Sequence, residues 1–272
     1  RCLASQGMLA LQMRERHETL ARVEESGRRL TEELEEANRY VQRILPAPIE
    51  VGPITAEWNM QPSEALGGDS FGYHWVGDLF VMYVLDVVGH GTGMALLSIS
   101  VLNNVRARLL MGEAAMADPA GVLRDLNAAF PMENQNQMLF SMWYGVYESS
   151  TRTLRYASAG HPPALALTVE DGAVTTTKLA TQSMPLGMFS DTEFTCDDYI
   201  VPPDGQLVLY SDGAFELPMP EGNASLDAFI GLCAEFAATP DWTVDELIST
   251  LQSLTTGGLF ADDCSLIQLR FH

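Results

Sequence analysis

Hydrophobic positions along the 272 residues follow two different periods, one before Pro46 and one after it. Before it, Leu9, Met13, Leu20, Val23, Leu30, Leu34, Ala37, Val41 and Ile44 recur at alternating steps of three and four, with Glu, Arg and Gln between them. This is a heptad seam on one long helix over residues 9–45, and a seam needs a partner helix. Arg16 and Gly27 are its two poor positions. The expectation is a parallel coiled coil that makes a homodimer through residues 9–45. An amphipathic helix packed on its own domain is the alternative reading. Pro46-Ala47-Pro48 stops the helix. The chain thus divides into a coiled-coil linker over 1–45 and a second domain over 46–272.

After Pro46 the period shortens. Apolar and β-branched runs of strand length recur, bounded by Gly, Pro, Asn and Asp. They predict strands over 54–60, 73–76, 80–86, 138–147, 153–159, 164–169, 174–179, 194–201, 206–211 and 264–271. Gly77-Asp78 and Asp171-Gly172 read as hairpin turns. Helical patterns fill 92–111, 119–130, 226–238 and 243–254, and Thr92 stands where it could cap the first of these. Strands and helices come in blocks rather than in strict alternation. That predicts an α+β fold of layered antiparallel sheets rather than a doubly wound parallel sheet.

Charge narrows the partners. With 36 acidic and 15 basic residues the chain carries a formal charge of -21. Such a surface repels nucleic acid and anionic membrane. No apolar run reaches the roughly 18 residues that a membrane-spanning helix needs. The four cysteines, Cys2, Cys196, Cys233 and Cys264, form no C-x-x-C pair, so neither a zinc site nor a redox motif is expected. A reduced, cytoplasmic setting is the simple expectation.

Aspartates gather where predicted strands end. Asp69 follows Gly67-Gly68. Asp86 ends the run Phe80-Val81-Met82-Tyr83-Val84-Leu85 and precedes Val87-Val88-Gly89-His90-Gly91. Asp212 follows the strand Gln206 to Ser211 and precedes Gly213. Asp262 and Asp263 open the last strand. Taken singly, an Asp beside Gly is usually a turn residue. Four such clusters together offer the oxygen ligands that hard divalent cations take. Two such ions roughly 4 Å apart can activate water and clamp a phosphoryl group.

These motifs, G-G-D, D-x-x-G-H-G, S-D-G and D-D in that order, resemble those of the metal-dependent protein phosphatases (PPM, type 2C) in their bacterial SpoIIE/RsbU-like branch. Ala159-Gly160-His161-Pro162-Pro163 and Met184-Pro185-Leu186-Gly187-Met188 are also similar to that branch. The likeness runs from about Pro46 to the C-terminus. It implies a four-layer α-β-β-α sandwich of two antiparallel sheets with two Mn2+ or Mg2+ ions at one edge. Asp86 would bridge them, with the backbone carbonyl of Val87 beside it. Asp69 would bind partly through water, Asp212 and Asp262 would hold the second ion, and Asp263 would orient Asp262. His90 could protonate the leaving oxygen, or simply bond within the helix-entry turn. His161 is expected to be structural.

The same resemblance implies a serine/threonine phosphatase acting on a phosphorylated STAS-type anti-sigma-factor antagonist. It also implies an upstream sensory or receiver domain joined through the linker. Ser70-Phe71-Gly72-Tyr73 departs from the family pattern, and the segment after Glu216 lacks the usual Phe-Gly. No arginine within the motifs offers to grip phosphate. Two rival readings are a phosphatase-like module that binds a regulator without hydrolysing it, and a hydrolase of small phosphoesters.

Overall fold

One strand shows why the apolar runs are continuous. Phe80, Met82 and Val84 face one hydrophobic core, while Val81, Tyr83, Leu85 and Val87 face another. A strand buried on both faces cannot alternate apolar with polar residues. The structure, a computed structural model, describes residues 16–17, 22, 25–29, 32–34, 36–63, 66–88, 91–219, 222–239 and 241–272. The chain falls into two units, residues 1–43 and 44–272.

In the first unit the described residues are helical, without a break from 36 to 43. Seam positions Leu9, Met13, Leu20, Val23 and Leu30, and with them most of the expected coiled coil, lie outside the described residues.

The second unit is two five-stranded antiparallel sheets. The first runs β1 (Ile54–Gln61), β12 (Cys264–Phe271), β9 (Gln206–Tyr210), β6 (Ala164–Glu170), β7 (Ala173–Leu179). The other runs β2 (Ser70–Val76), β3 (Leu79–Val88), β4 (Leu139–Glu148), β5 (Thr153–Ala159), β8 (Asp197–Ile200). A two-stranded ribbon, β10 (Pro218–Met219) with β11 (Gly222–Asn223), stands apart.

Alternation along the strands builds three cores. Ile267, Leu269 and Phe271 of β12 meet Phe80, Met82 and Val84 of β3 between the sheets. Helices α1 (Thr92–Leu109) and α2 (Pro119–Ala129) cover the outer face of the β3 sheet. Helices α3 (Leu226–Ala237) and α4 (Val244–Leu254) cover the outer face of the β12 sheet. The result is the α-β-β-α sandwich. Trp143 of β4 ties the sheets together by donating its indole N–H to the carbonyl of Leu179 at 2.9 Å. No helix among the described residues is long and apolar enough to cross a membrane.

Three local expectations change. Thr92 does not cap α1. Gly91 holds the N-cap position at φ 88, and no side chain bonds the first turn. A residue at positive φ is where glycine is favoured, so the capping side chain is given up for the turn. The strand expected over 194–201 shortens to Asp197–Ile200, because Phe194 leaves the sheet edge to pack in the helix-covered core. β2 starts earlier than expected, at Ser70, which puts Asp69 immediately before its first residue. By contrast α4 begins with a full capping box, Thr243 Oγ accepting from Glu246 N–H and the Glu246 carboxylate accepting from Thr243 N–H.

The segment entering the second unit is pinned by its carbonyls. Arg106 of α1 bonds the carbonyl of Ile44, the indole N–H of Trp58 donates to Pro46 O at 2.9 Å, and the Tyr73 hydroxyl donates to Ala47 O at 2.8 Å. Tyr73→Phe removes one of these bonds and little else. It should lower the unfolding free energy by about 1 kcal/mol, the net worth of a partly buried hydrogen bond. Equilibrium urea unfolding checks this, with an unchanged far-ultraviolet circular dichroism spectrum as the control.

Candidate metal centre

Antiparallel pairing brings five strand ends to one edge of the sandwich. The end of β3 lies beside the start of β2, since Leu85 pairs with Ser70. In the other sheet the start of β12 lies beside the end of β1 and the end of β9, through the pairs Gln61 with Cys264 and Tyr210 with Leu266. Asp69, Asp86, Asp212, Asp262 and Asp263 all sit on these ends. Asp86 has the same parity as Phe80, Met82 and Val84, so it points between the sheets where the apolar filling stops.

Asp263 organises the edge. Its Oδ1 accepts from the Ser63 N–H at 2.8 Å and the Ser63 hydroxyl at 3.0 Å, and its Oδ2 accepts from the Gly68 N–H at 2.6 Å. This carboxylate therefore holds the Gly67-Gly68 loop, and through it Asp69. A Cβ on Gly67 would lie 2.5 Å from Asp263 Oδ2, so only glycine lets the loop pass. Gly213 is constrained in the same way, since its Cβ would collide with the Asp263 carbonyl. Between Asp263 and Asp262 the contact is the Asp263 N–H donating to Asp262 Oδ1 at 2.8 Å.

Two serines complete the frame. Ser211 Oγ donates to the Asp263 carbonyl at 3.0 Å and accepts from the Ser265 N–H at 2.9 Å. Ser265 Oγ then donates to Asp69 Oδ2 at 2.7 Å, across the gap between the sheets. Sequence reasoning passed over both. Ser265 had a readable signal: it shares the inward parity of Ile267 and Leu269, and a serine in that row has to find a polar partner.

The electrostatics are those of an anion cluster. Asp69 is 1% exposed, and its Oδ1 has no hydrogen-bond partner. Burial, then the charges of Asp86 and Asp263, push its pKa well up, against the opposing influence of the Ser211 and Ser265 hydroxyls. Burial and the charges of Asp212 and Asp262 raise Asp86 too. Asp212 is pushed up to about 6 by burial, Asp262 and Glu216. The charges that raise these three carboxyls are those of other acids. Among the described residues no three Asp, Glu, His or Cys side chains stand close enough to cage an ion as they are.

This donor set fits a hard divalent cation. It consists of oxygens, carboxylates with one backbone carbonyl, and one carboxylate oxygen is buried and orphaned. Asp69, Asp86, Asp212, Asp262 and the Val87 carbonyl are the groups available to hold it. The Gly68 Cα approaches that carbonyl closely, with 3.1 Å left for a Cβ. His90 lies outside the described residues.

The fold is that of the PP2C class of phosphatase domains. It superposes on the SiaA-PP2C domain of Pseudomonas aeruginosa with a TM-score of 0.75 at 20% identity, covering 91% of this chain and 99% of that one. The chain belongs to the SpoIIE family, whose profile, described as Stage II sporulation protein E (SpoIIE), matches residues 77–272. Phosphoserine phosphatase RsbP of Bacillus subtilis (strain 168) is 29% identical over 185 residues, 68% of this chain and 45% of the relative. Phosphoserine phosphatase RsbU of the same organism is 25% identical over 208 residues, 74% of this chain and 57% of the relative. The chain thus spans about half the length of these curated relatives.

The raised Asp212 pKa sets the sign of a pH effect. Its ordinary value is near 3.8 and its folded value is about 6. Between the two, the folded chain binds a proton that the unfolded chain has released, so this group's contribution to stability falls as pH rises. Metal-free protein should melt at a higher temperature at pH 5 than at pH 7.5. Asp212→Asn should raise the melting temperature at pH 7.5 and flatten that slope. Thermal melts in chelator check both, and a lower melting temperature for the variant at pH 7.5 would contradict the assignment.

Proposed function

We propose that residues 46–272 form a metal-dependent serine/threonine protein phosphatase. The observation that carries this is the edge where strand ends deliver Asp69, Asp86, Asp212 and Asp262, with acidic charges raising the first three carboxyls and one buried carboxylate oxygen unpartnered. Asp69, Asp86, Asp212, Asp262 and the Val87 carbonyl would hold two Mn2+ or Mg2+ ions. Such a pair supplies the Lewis acidity and the activated water that in-line hydrolysis of a phosphate monoester requires. The protein's part is to fix the donors and exclude bulk water. Asp263 and Ser265 hold Asp69 in place, and Ser211 braces the Asp263 backbone.

Among the described residues, the one cysteine beside the acids does not compete as a nucleophile. Cys264 is buried beside the acids, and burial and the Asp69 charge keep its thiol protonated. A thiol is a weak nucleophile compared with a thiolate.

The substrate we infer is a phosphoserine or phosphothreonine on a regulatory protein, by family likeness a STAS-type antagonist in partner-switching signalling. Support comes from the two Bacillus subtilis relatives that bear the name phosphoserine phosphatase. Residues 1–45 would link this domain to an upstream sensory or receiver domain and pair it with a second copy. The reading as a binding module without turnover is disfavoured by the full set of four core acids, which such a module has no need to keep.

Phosphate release from a phosphoserine peptide should depend on manganese. Asp212→Asn should lower it at least about 100-fold, as for other losses of charge stabilisation at a reacting centre. Turnover by the unaltered chain that ignores both manganese and chelator would contradict the reading. A separate measurement addresses the linker. Light scattering after gel filtration should give a dimer for the whole chain and a monomer for residues 44–272, and a monomeric whole chain would remove the coiled coil.

A further inference from the structure

One wall of the acid edge has an apolar hollow on its other side. Asp86, Asp212, Phe215, Glu216 and Leu226 line a cleft of about 400 Å³. Ala214, Leu217, Ala228 and Phe229 come from the same two segments but line a second space, of about 240 Å³, beside α3 and α4. The chain from Ala214 to Leu217 and the first turn of α3 therefore separate the two. Leu217, Phe229 and Leu251 make the floor of the hollow and are buried. Its rim is open, since Ala228, Gly231, Glu235 and Leu254 are exposed. Among the described residues that line it, Glu235 alone is charged. A Cβ on Gly231 would meet nothing within 4 Å, so this small residue leaves the space empty. Glycine inside a helix weakens it relative to alanine, so the empty space carries a local cost.

Size, charge and position select the occupant. A drug-sized ligand needs roughly 300–1,000 Å³, more than the hollow offers. One large aliphatic or aromatic side chain fits, since a cavity of about 150 Å³ already takes a benzene ring. A second copy of this chain would bring a net charge of -21 up to Glu235 and the cleft acids, and would be repelled. Position then points to the phosphoprotein substrate. A polypeptide with its phosphorylated residue in the cleft has only the shared wall to cross. That wall is about one helix thick, roughly 10 Å, which about three or four extended residues span.

We propose that the hollow is a docking pocket for one large apolar side chain of the phosphoprotein substrate, placed about three or four residues from the phosphorylated serine or threonine. This rests on the phosphatase reading above and adds to it how a protein substrate is told from a small phosphate ester. Leu217, Phe229 and Leu251 receive the side chain, and Leu254 closes over it from the rim. Glu235 at that rim and Glu216 in the cleft favour a lysine or arginine next to it.

The test uses the full chain in manganese and a series of alanine-rich phosphoserine peptides. One leucine is walked outward from the phosphoserine on either side, and p-nitrophenyl phosphate, too small to leave the cleft, is the reference. A leucine at one position, about three or four residues away, should raise kcat/KM about tenfold over the all-alanine peptide. The gain should be carried by KM, and this series needs no variant. Gly231→Leu fills the pocket from within and should cancel the gain, read as the ratio of peptide to p-nitrophenyl phosphate kcat/KM. Because it replaces a helical glycine, its melting temperature should be no lower than that of the unaltered chain. Peptides indifferent to the leucine, or a gain that survives Gly231→Leu, overturn the inference and leave the phosphatase reading standing. A fall in the light-scattering mass of the full chain on Gly231→Leu would place a second copy in the pocket and overturn it too. Failure of the unaltered chain to turn over either substrate overturns both.

Discussion

The structure depends on one carboxylate that is satisfied so that others can remain unsatisfied. Asp263 is buried and takes three hydrogen bonds from Ser63 and Gly68. Those bonds join the end of β1 to the loop before β2, and so join one sheet to the other. Together with the Ser265 hydroxyl they hold Asp69 against its repulsion from Asp86. A buried anion with three donors is a stable structural element, whereas a buried anion with one donor and like charges around it is a strained one. The edge contains both kinds, and the first kind holds the second in place. The Gly67 and Gly213 contacts follow from this, because each lets a backbone come within reach of Asp263.

The division of labour between the sheets follows the same logic. Both faces of β3 are packed, by the inter-sheet core on one side and by α1 and α2 on the other. That packing fixes where Asp86 must lie, since a register slip of one residue would send Val84 and Met82 outward and Asp86 into the helix-covered core. Hydrophobic burial thus positions a charge that is itself unfavourable where it sits.

Much of this was legible in the chain. The continuous apolar run from Phe80 to Leu85 announced a strand buried on both faces, and Gly77-Asp78 announced its hairpin. The layered α+β class followed from the blocks of strands and helices. The aspartates stood out as a set because each closes or opens such a run beside glycine. What could not be read was which ends meet. The pairings of β12 with both β1 and β9 join residues some 200 and some 60 positions apart, and no local pattern encodes them. For that reason the reach of the Asp263 carboxylate to Ser63 and Gly68 could not be read, while its backbone N–H meets the neighbouring Asp262. His161 was assigned to a turn because its sequence context, Gly-His-Pro-Pro, is that of a turn. Its ring is buried and its Nδ1 donates to the Pro162 carbonyl, as that context suggests.

The charge balance at the edge carries a consequence for the fold as a whole. A set of acids that raise one another's pKa lowers the stability of the empty chain. An internal arginine could have relieved that, but it would have occupied the place where a cation binds and would have filled the charge the cation needs. Leaving the acids open makes the folded state the one that binds. Any divalent ion held there then stabilises it in proportion to the logarithm of its concentration over its dissociation constant. The apolar cores between and outside the sheets supply the stability that the acid edge lacks, and Asp263 confines the strain to the few residues that face the cleft.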